Sequence, residues 1–228
     1  MTDRTRIILE DLEAVRENLL ALSDDIWLSI DHNDPDALEE GVAFKRTYNE
    51  KLAAFDSLAT ELSVLVQQFT SVNLEAEEQT GGDSESENRR IIQELDCEEP
   101  HGLEEDFTYK RPHGFILQGR GTTGITTWKR LFELLCKQLL RLDSQKFRSL
   151  MNHPDFISNR GHHSFTASPD HLRMALQLDD DLFTEINLSA NSIRDTIRRM
   201  LDVFEIPVTD LKIFLRQDRD AAEGTNCG

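Results

Sequence analysis

Apolar positions fall into three regimes along the chain. Between residues 4 and 30, Ile8, Leu12, Val15, Leu19, Leu22 and Ile26 follow one another at steps of four and three. That spacing is a heptad seam and predicts one amphipathic helix. Asp31-His32-Asn33-Asp34-Pro35 interrupts it, with Asp34 placed to cap a second helix and Pro35 at its first position. The second helix is predicted over 35–70, with Phe44, Tyr48, Leu52, Phe55, Ala59, Leu62, Val66 and Phe69 as its seam. Two helices joined by so short a loop pack antiparallel, as a coiled-coil-like hairpin. The second helix is the longer, so its far end, at Leu62, Val66 and Phe69, is predicted to carry unmatched apolar surface. Trp27 and Leu28 widen the apolar face of the first helix. A second copy of the chain or the C-terminal domain is expected to cover this surface.

The second regime, 73–106, is acidic, polar and rich in turn formers. It is read as a flexible, self-repelling linker. Ile91, Ile92 and Leu95 within it are read as a transient helical turn.

The third regime begins at Phe107. Runs at 114–119 and 124–127 flank Arg120-Gly121-Thr122-Thr123 and predict a β-hairpin around a Gly-rich turn. A helix is predicted over 128–142, capped by Thr126 or Thr127, with Trp128, Leu131, Phe132, Leu135, Leu139 and Leu142 facing a core. A shorter helical piece covers 144–151, and 152–181 is read as irregular. A strand over 182–187 then runs into a helix capped by Ser189, whose inner face is Ile193, Ile197, Met200, Leu201 and Phe204. A last strand follows over 211–216. The fold class is α+β. An antiparallel helical hairpin over 1–72 is joined by the acidic linker 73–106 to a small α+β domain over 107–217, and 218–228 is read as a disordered tail.

Charge sharpens this division. The net charge is −20 over residues 1–106, +4 over 107–217 and −2 over 218–228, for a total of −18. An acidic half and a mildly basic half suggest two parts with different jobs. Acidic helices also serve solubility alone, and +4 is too small to be a nucleic-acid footprint by itself. No apolar run is long enough to span a bilayer, and the charged start does not resemble a signal peptide. The protein is therefore expected to be cytoplasmic. Cys97, Cys136 and Cys227 form no CxxC pair, which argues against a disulfide framework and a cysteine zinc site.

Candidate chemistry is sparse. His153, His162, His163 and His171 match no zinc spacing. Asp179, Asp180, Asp181 and Glu185 lack the Glu-x-Lys strand of a nuclease core, so they read as an acidic turn. Gly119 to Gly124 has neither the lysine nor the strand-to-helix placement of a phosphate loop. No cofactor or metal is expected, and no serine or cysteine has the context of a nucleophile.

The basic residues are the stronger candidates. Arg194, Arg198 and Arg199 lie outside the apolar stripe of the helix behind Ser189. Lys110, Arg111 and Arg120 lie on the hairpin, with Arg120 at its tip, and Lys129 and Arg130 open the helix at Trp128. If they converge, they form a phosphate-binding face, with Asn191 at the exposed first turn of its helix. The competing reading pairs the arginines with Asp195, Asp202 or the linker's carboxylates.

The runs TTWKRLFELLCKQLLRLDSQKFRSLM, FTASPDHLR, FTEINLSANSIRDTIRRMLDVFEIP and DLKIFLR resemble a module of uncharacterised prokaryotic proteins. In that module a hairpin leads into a Trp-Lys helix, and a T-x-x-NLSAN strand-to-helix turn precedes the last strand. The resemblance covers about 109–216. It implies a domain boundary near 107, a prokaryotic source, a coiled-coil-like N-terminus and an association with restriction, mobile-element or defence loci. It brings no catalytic motif.

Two function classes follow. One is a non-catalytic interaction or adaptor protein that oligomerises or docks a protein partner through helices 4–30 and 35–70. The other is a nucleic-acid-binding accessory factor. Neither involves a membrane.

Overall fold

A computed structural model describes residues 2–72, 78–81, 84–158 and 161–216, without the side chains of Thr2, Asp3 and His171. The first stretch of the expected linker and the C-terminal tail lie outside the described residues. The chain divides after residue 76 into two compact units.

In the first unit, α1 (Thr2–Leu28) and α2 (Pro35–Thr70) form the expected hairpin. The Asp34 carboxylate accepts the backbone N–H of Asp36 and Ala37, and Pro35 opens the helix. On α1 the contact stripe lies one residue past the expected seam, whereas on α2 Tyr48, Leu52 and Ala59 of the expected seam do face α1, joined by Asp56 and Ser63 one residue past Phe55 and Leu62. Arg16 pairs with Asp56 in the buried interface. Lys45 Nζ reaches the Ser23 carbonyl at 3.0 Å, Tyr48 Oη reaches the Leu19 carbonyl at 2.8 Å, and Ile30 packs on Gly41. Leu9 and Leu20 of α1, and Leu52, Ala59 and Ser63 of α2, are buried on the same stripes. These polar contacts fix the rotation of each helix, and a count of apolar positions does not see them.

The same contacts correct the expected overhang. Ile30 opposite Gly41, Ser23 opposite Lys45, Leu19 opposite Tyr48 and Arg16 opposite Asp56 keep nearly one antiparallel offset. At about 1.5 Å per residue in both helices, that offset brings Thr2 level with about the last turn of α2. The connection between the helices absorbs the difference in length. Leu62 and Phe69 are exposed and Val66 half-buried, but because they lie on a flank rather than beyond the end of α1.

The second unit begins earlier than expected. β1 (Gln79–Thr80) and α3 (Glu85–Leu95) belong to it, as do β2 (Pro112–Leu117) and β3 (Arg120–Thr123). They are followed by α4 (Trp128–Leu142), α5 (Ser144–Ser149), β4 (Phe165–Thr166), β5 (Ala175–Asp179), β6 (Leu182–Glu185), α6 (Ala190–Val203) and β7 (Leu211–Leu215). One antiparallel sheet has the order β1-β3-β2-β7, and a smaller one the order β4-β6-β5.

The first sheet is covered on both faces because its strands alternate. Phe115, Leu117, Leu211 and Ile213 face the main core with Trp128, Leu131, Leu135, Ile193, Ile197 and Leu201 from α4 and α6. Ile116 and Phe214 point the other way, onto Ile91 and Leu95 of α3. The stretch that carries β1 and α3 is thus not a linker. Its three apolar residues find a sheet face that local sequence does not advertise. Gly121 lets α3 seat, since a Cβ there would meet Ile91 at 2.8 Å. Asn88 ties α3 to the hairpin by donating to the Gly119 carbonyl at 2.8 Å and accepting the Gly121 N–H at 2.9 Å.

The hairpin is tighter than expected. Arg120–Thr123 is itself a strand, and the two-residue turn is Gln118-Gly119, both at positive φ. That is the backbone a two-residue antiparallel connection requires. Arg120 is therefore a strand residue opposite Leu117 rather than a loop tip. The expected helix at 128–142 is present, capped by Thr127, and Ser189 caps α6 by accepting the Ser192 N–H. The stretch read as irregular contains β4 and β5; Asp179 ends β5, and Asp180-Asp181 form the turn into β6, the middle strand of the smaller sheet.

Truncation tests the revised boundary. Residues 77–228 should melt cooperatively. Residues 107–228 lose Ile91 and Leu95, about 3–6 kcal/mol of apolar burial, and should not, as monitored by circular dichroism.

Candidate functional site

The nine polar residues singled out on the C-terminal unit do not form one face. Five of them, Arg130, Asn191, Arg194, Arg198 and Arg199, turn inward to the protein's own backbone or carboxylates. Asn191 sits in the first turn of α6, half-buried, with all its hydrogen-bonding positions engaged. Its Oδ1 accepts the Phe107 N–H at 2.9 Å and Arg194 Nη1 at 3.1 Å. Its Nδ2 donates to Asp106 Oδ1 at 2.7 Å and Thr108 Oγ1 at 2.9 Å. Arg194 donates to the Glu105 carbonyl at 2.6 Å and pairs with Asp195 at 2.8 Å. Arg198 donates to the Leu103 carbonyl and meets Glu104 at 3.0 Å. The spacing 191, 194, 198 puts these groups on one side of α6, and together they clasp the segment 103–108. Leu103 and Phe107, buried in the main core, are carried by that segment.

Arg199 lies one residue further round the helix and leaves the group. It donates to the Asp155 carbonyl at 2.7 Å and stacks over the Phe156 ring at 5.5 Å. Arg130 holds Glu78 through paired bonds of 2.8 Å and Glu133 through one of 2.7 Å. Burial works against its charged form, but the two carboxylates outweigh it and its pKa is raised. This network fastens the start of β1 to α4.

Lys110 is exposed, 3.6 Å from Glu105 and over the Phe107 ring, while its carbonyl accepts Trp128 Nε1 at 2.8 Å. Arg111 and Lys129 are half-buried. Arg120 is exposed at the far end of the β2–β3 hairpin, roughly 20 Å from Arg111 at the rise of a strand.

The remaining candidates are also structural. The Glu185 carboxylate accepts the N–H groups of Arg173, Met174 and Asn187 at 2.7, 3.2 and 2.7 Å. Arg148 bridges Asp179 and Asp181 at 2.6 and 2.5 Å. His163 Nδ1 lies 2.8 Å from the Met151 carbonyl, and His153 accepts the Asp155 N–H at 3.3 Å. Among the described residues no group of three His, Cys, Asp or Glu side chains is placed to hold a metal ion. A cleft of about 800 Å³ beside α6 is lined by Phe156, His163, Arg173, Glu185 and Arg199, but Glu185 and Arg199 in it are already engaged by backbone groups. Cys136 is fully buried, which pushes its thiol pKa well up and keeps it unreactive.

The first unit presents a different kind of surface. Ile8, Val15 and Leu22 of α1 are exposed at intervals of seven, with Ile8 at 66 %. Leu58, Leu62, Leu65 and Phe69 of α2 are exposed at steps of four, three and four, with Phe69 at 87 %. The heptad signal identified in α1 therefore marks this flank, next to the interface with α2. Leu58 and Leu65 were missed because their repeat is shifted by three residues from the α2 seam that the sequence suggested. The signal that finds them is a second repeat of period 3.5 on a helix already assigned one.

Comparison with protein-family models, curated proteins and solved structures finds no match, so no catalytic family is brought to this chain. Among the described residues, no helix is long and apolar enough to cross a membrane.

Replacing Arg194, Arg198 and Arg199 together by Gln should destabilise the second unit by about 1–3 kcal/mol, since carbonyls at 103, 105 and 155 lose charged donors. An unchanged melting temperature with lost heparin retention would return these arginines to nucleic-acid contact. The clasp is also pH-sensitive. Hydrogen bonds from the Thr108 hydroxyl, the Asn191 amide and the Thr108 N–H lower the Asp106 pKa to about 2. A depressed carboxylate stabilises the fold above its unfolded value, about 3.9, and that stability is lost as pH falls through about 2. Urea midpoints should therefore fall between pH 4 and 2, and less steeply in Asp106→Asn.

Proposed function

We propose that this is a non-catalytic interaction protein whose helical hairpin is the docking surface. The observation that carries this reading is the exposed apolar flank of α1 and α2. Scattered exposed leucines need no explanation, but a repeat continued over several turns on both helices is an interface pattern. The α+β unit then serves as a rigid body held to its own loops by α6. Its arginines support that role better than nucleic-acid binding, because Arg130, Arg194, Arg198 and Arg199 already have partners within the unit. The nucleic-acid alternative rests on Lys110, Arg111 and Lys129 near one end of β2, a group that Arg120, at the other end, does not join.

Three cysteines without a paired motif favour the cytoplasm. A place as an accessory factor of a prokaryotic defence system rests on the resemblance of the 109–216 segment alone.

Site-specific photo-crosslinking tests the reading. A photoreactive residue at position 62 or 65, in full-length protein expressed in its native cells, should give a discrete protein adduct. The same residue at position 120 should give no nucleic-acid adduct. The reverse pattern would replace the docking reading with the nucleic-acid one.

A further inference from the structure

Resting on that reading, we propose that the occupant of the hairpin's apolar flank is a second copy of the same chain, and that the two hairpins close into an antiparallel four-helix bundle.

The flank is one continuous face. An α-helix turns about 100° per residue. On α1, positions 8, 12, 15, 19, 22 and 26 lie about 100° to one side of the stripe that meets α2. On α2, positions 55, 58, 62, 65 and 69 lie about 100° from the α1-facing stripe in the same rotational sense. In an antiparallel pair, rotations of the same sense point to the same side of the hairpin. None of these eleven positions carries a charge, although residues 1–76 hold 16 acidic and 6 basic side chains. Arg4, Glu40 and Lys51 are the charged residues whose helical positions fall on the face, toward the ends of the stripes for Arg4 and Glu40.

The size and shape of the face fit self-association. α1 is 27 residues long, about 40 Å at 1.5 Å per residue, and two packed helices are about 20 Å across. The product, about 800 Å², is what one partner contributes to a standard stable interface. Both stripes have the alternating three-and-four step of knobs-into-holes packing. A two-fold axis parallel to the helices lays α1 of one copy over α2 of the other, with every neighbouring pair antiparallel. The hairpin's own register then sets Ile8 against Leu62 of the second copy, Leu12 against Leu58 and Val15 against Phe55. Short or β-branched side chains on α1 at 8 and 15 thus meet long ones on α2.

Charge gives the dimer a signature. Each hairpin carries a net −10, most of it outside the apolar face, so the copies repel at low salt and that repulsion is screened as salt rises. Self-association should therefore tighten with ionic strength, whereas a basic partner would be lost.

Sedimentation equilibrium of the purified full chain, between about 1 and 100 μM, decides the matter. The expected mass is twice 26.2 kDa, with tighter association at 500 mM than at 50 mM NaCl by the screening argument. Leu62→Glu with Leu65→Glu should weaken association at least about a hundredfold and leave the melting curve of the second unit in place. Val15→Glu, on the other helix, should act alike; its failure to do so would overturn the face described. A monomer at every concentration and salt would overturn the proposal. If positions 62 and 65 still crosslinked to a different protein in cells, the docking reading would survive; if they gave no adduct, both would fall.

Discussion

The second unit depends on a division of labour around α6. Its inner side, Ile193, Ile197, Met200 and Leu201, is fully or almost fully buried in the core. Its outer side supplies hydrogen bonds to a segment with no secondary structure of its own. The segment 103–108 must enter the core far enough to bury Leu103 and Phe107. Doing so takes backbone N–H and C=O groups out of water, and an unpaired buried polar group is costly. Asn191, Arg194 and Arg198 meet that demand at the Phe107 N–H and the carbonyls of Glu105 and Leu103. Trp128 does the same from α4, at the Lys110 carbonyl. The ends of the main sheet, α4 and α6 are thereby tied through one loop.

The first unit is governed by buried polarity as well. An Arg–Asp pair and a Lys–Ser contact sit where a simple coiled coil would place leucines. A buried ion pair contributes little net stability compared with well-packed apolar residues, but a mismatch is heavily penalised. It selects one rotation of the helices, and that rotation leaves the apolar flank outward. The α1–α2 interface and the exposed apolar flank are thus two adjacent stripes on the same helices.

Much of this was legible in the sequence where a local rule acts alone. The caps at Asp34 and Ser189 were, and that of α4 as far as Thr126 or Thr127, because each needs a single side chain before a periodic run. The helices at 35–70 and 128–142 were, because their periods persist. What was not legible depends on partners distant in the chain. The α3 segment looked like linker because Ile91 and Leu95 gain their value only from Ile116 and Phe214. The α1 seam was found but assigned to the wrong neighbour, since Arg16 and Asp56 do not enter a hydrophobic pattern. The arginines of α6 are visible as a basic cluster, yet their acceptors are main-chain carbonyls, which every sequence has.

The most direct measurement is amide hydrogen exchange at Phe107 in the full-length protein. This amide, in a segment outside any helix or strand, should exchange as slowly as that of Ile213 in β7. In Asn191→Ala it should exchange at least about tenfold faster, as expected for loss of one net hydrogen bond, while Ile213 is unchanged. Exchange of Phe107 at the rate of an open loop in the unaltered protein would contradict the clasp and the structural role given to the α6 face.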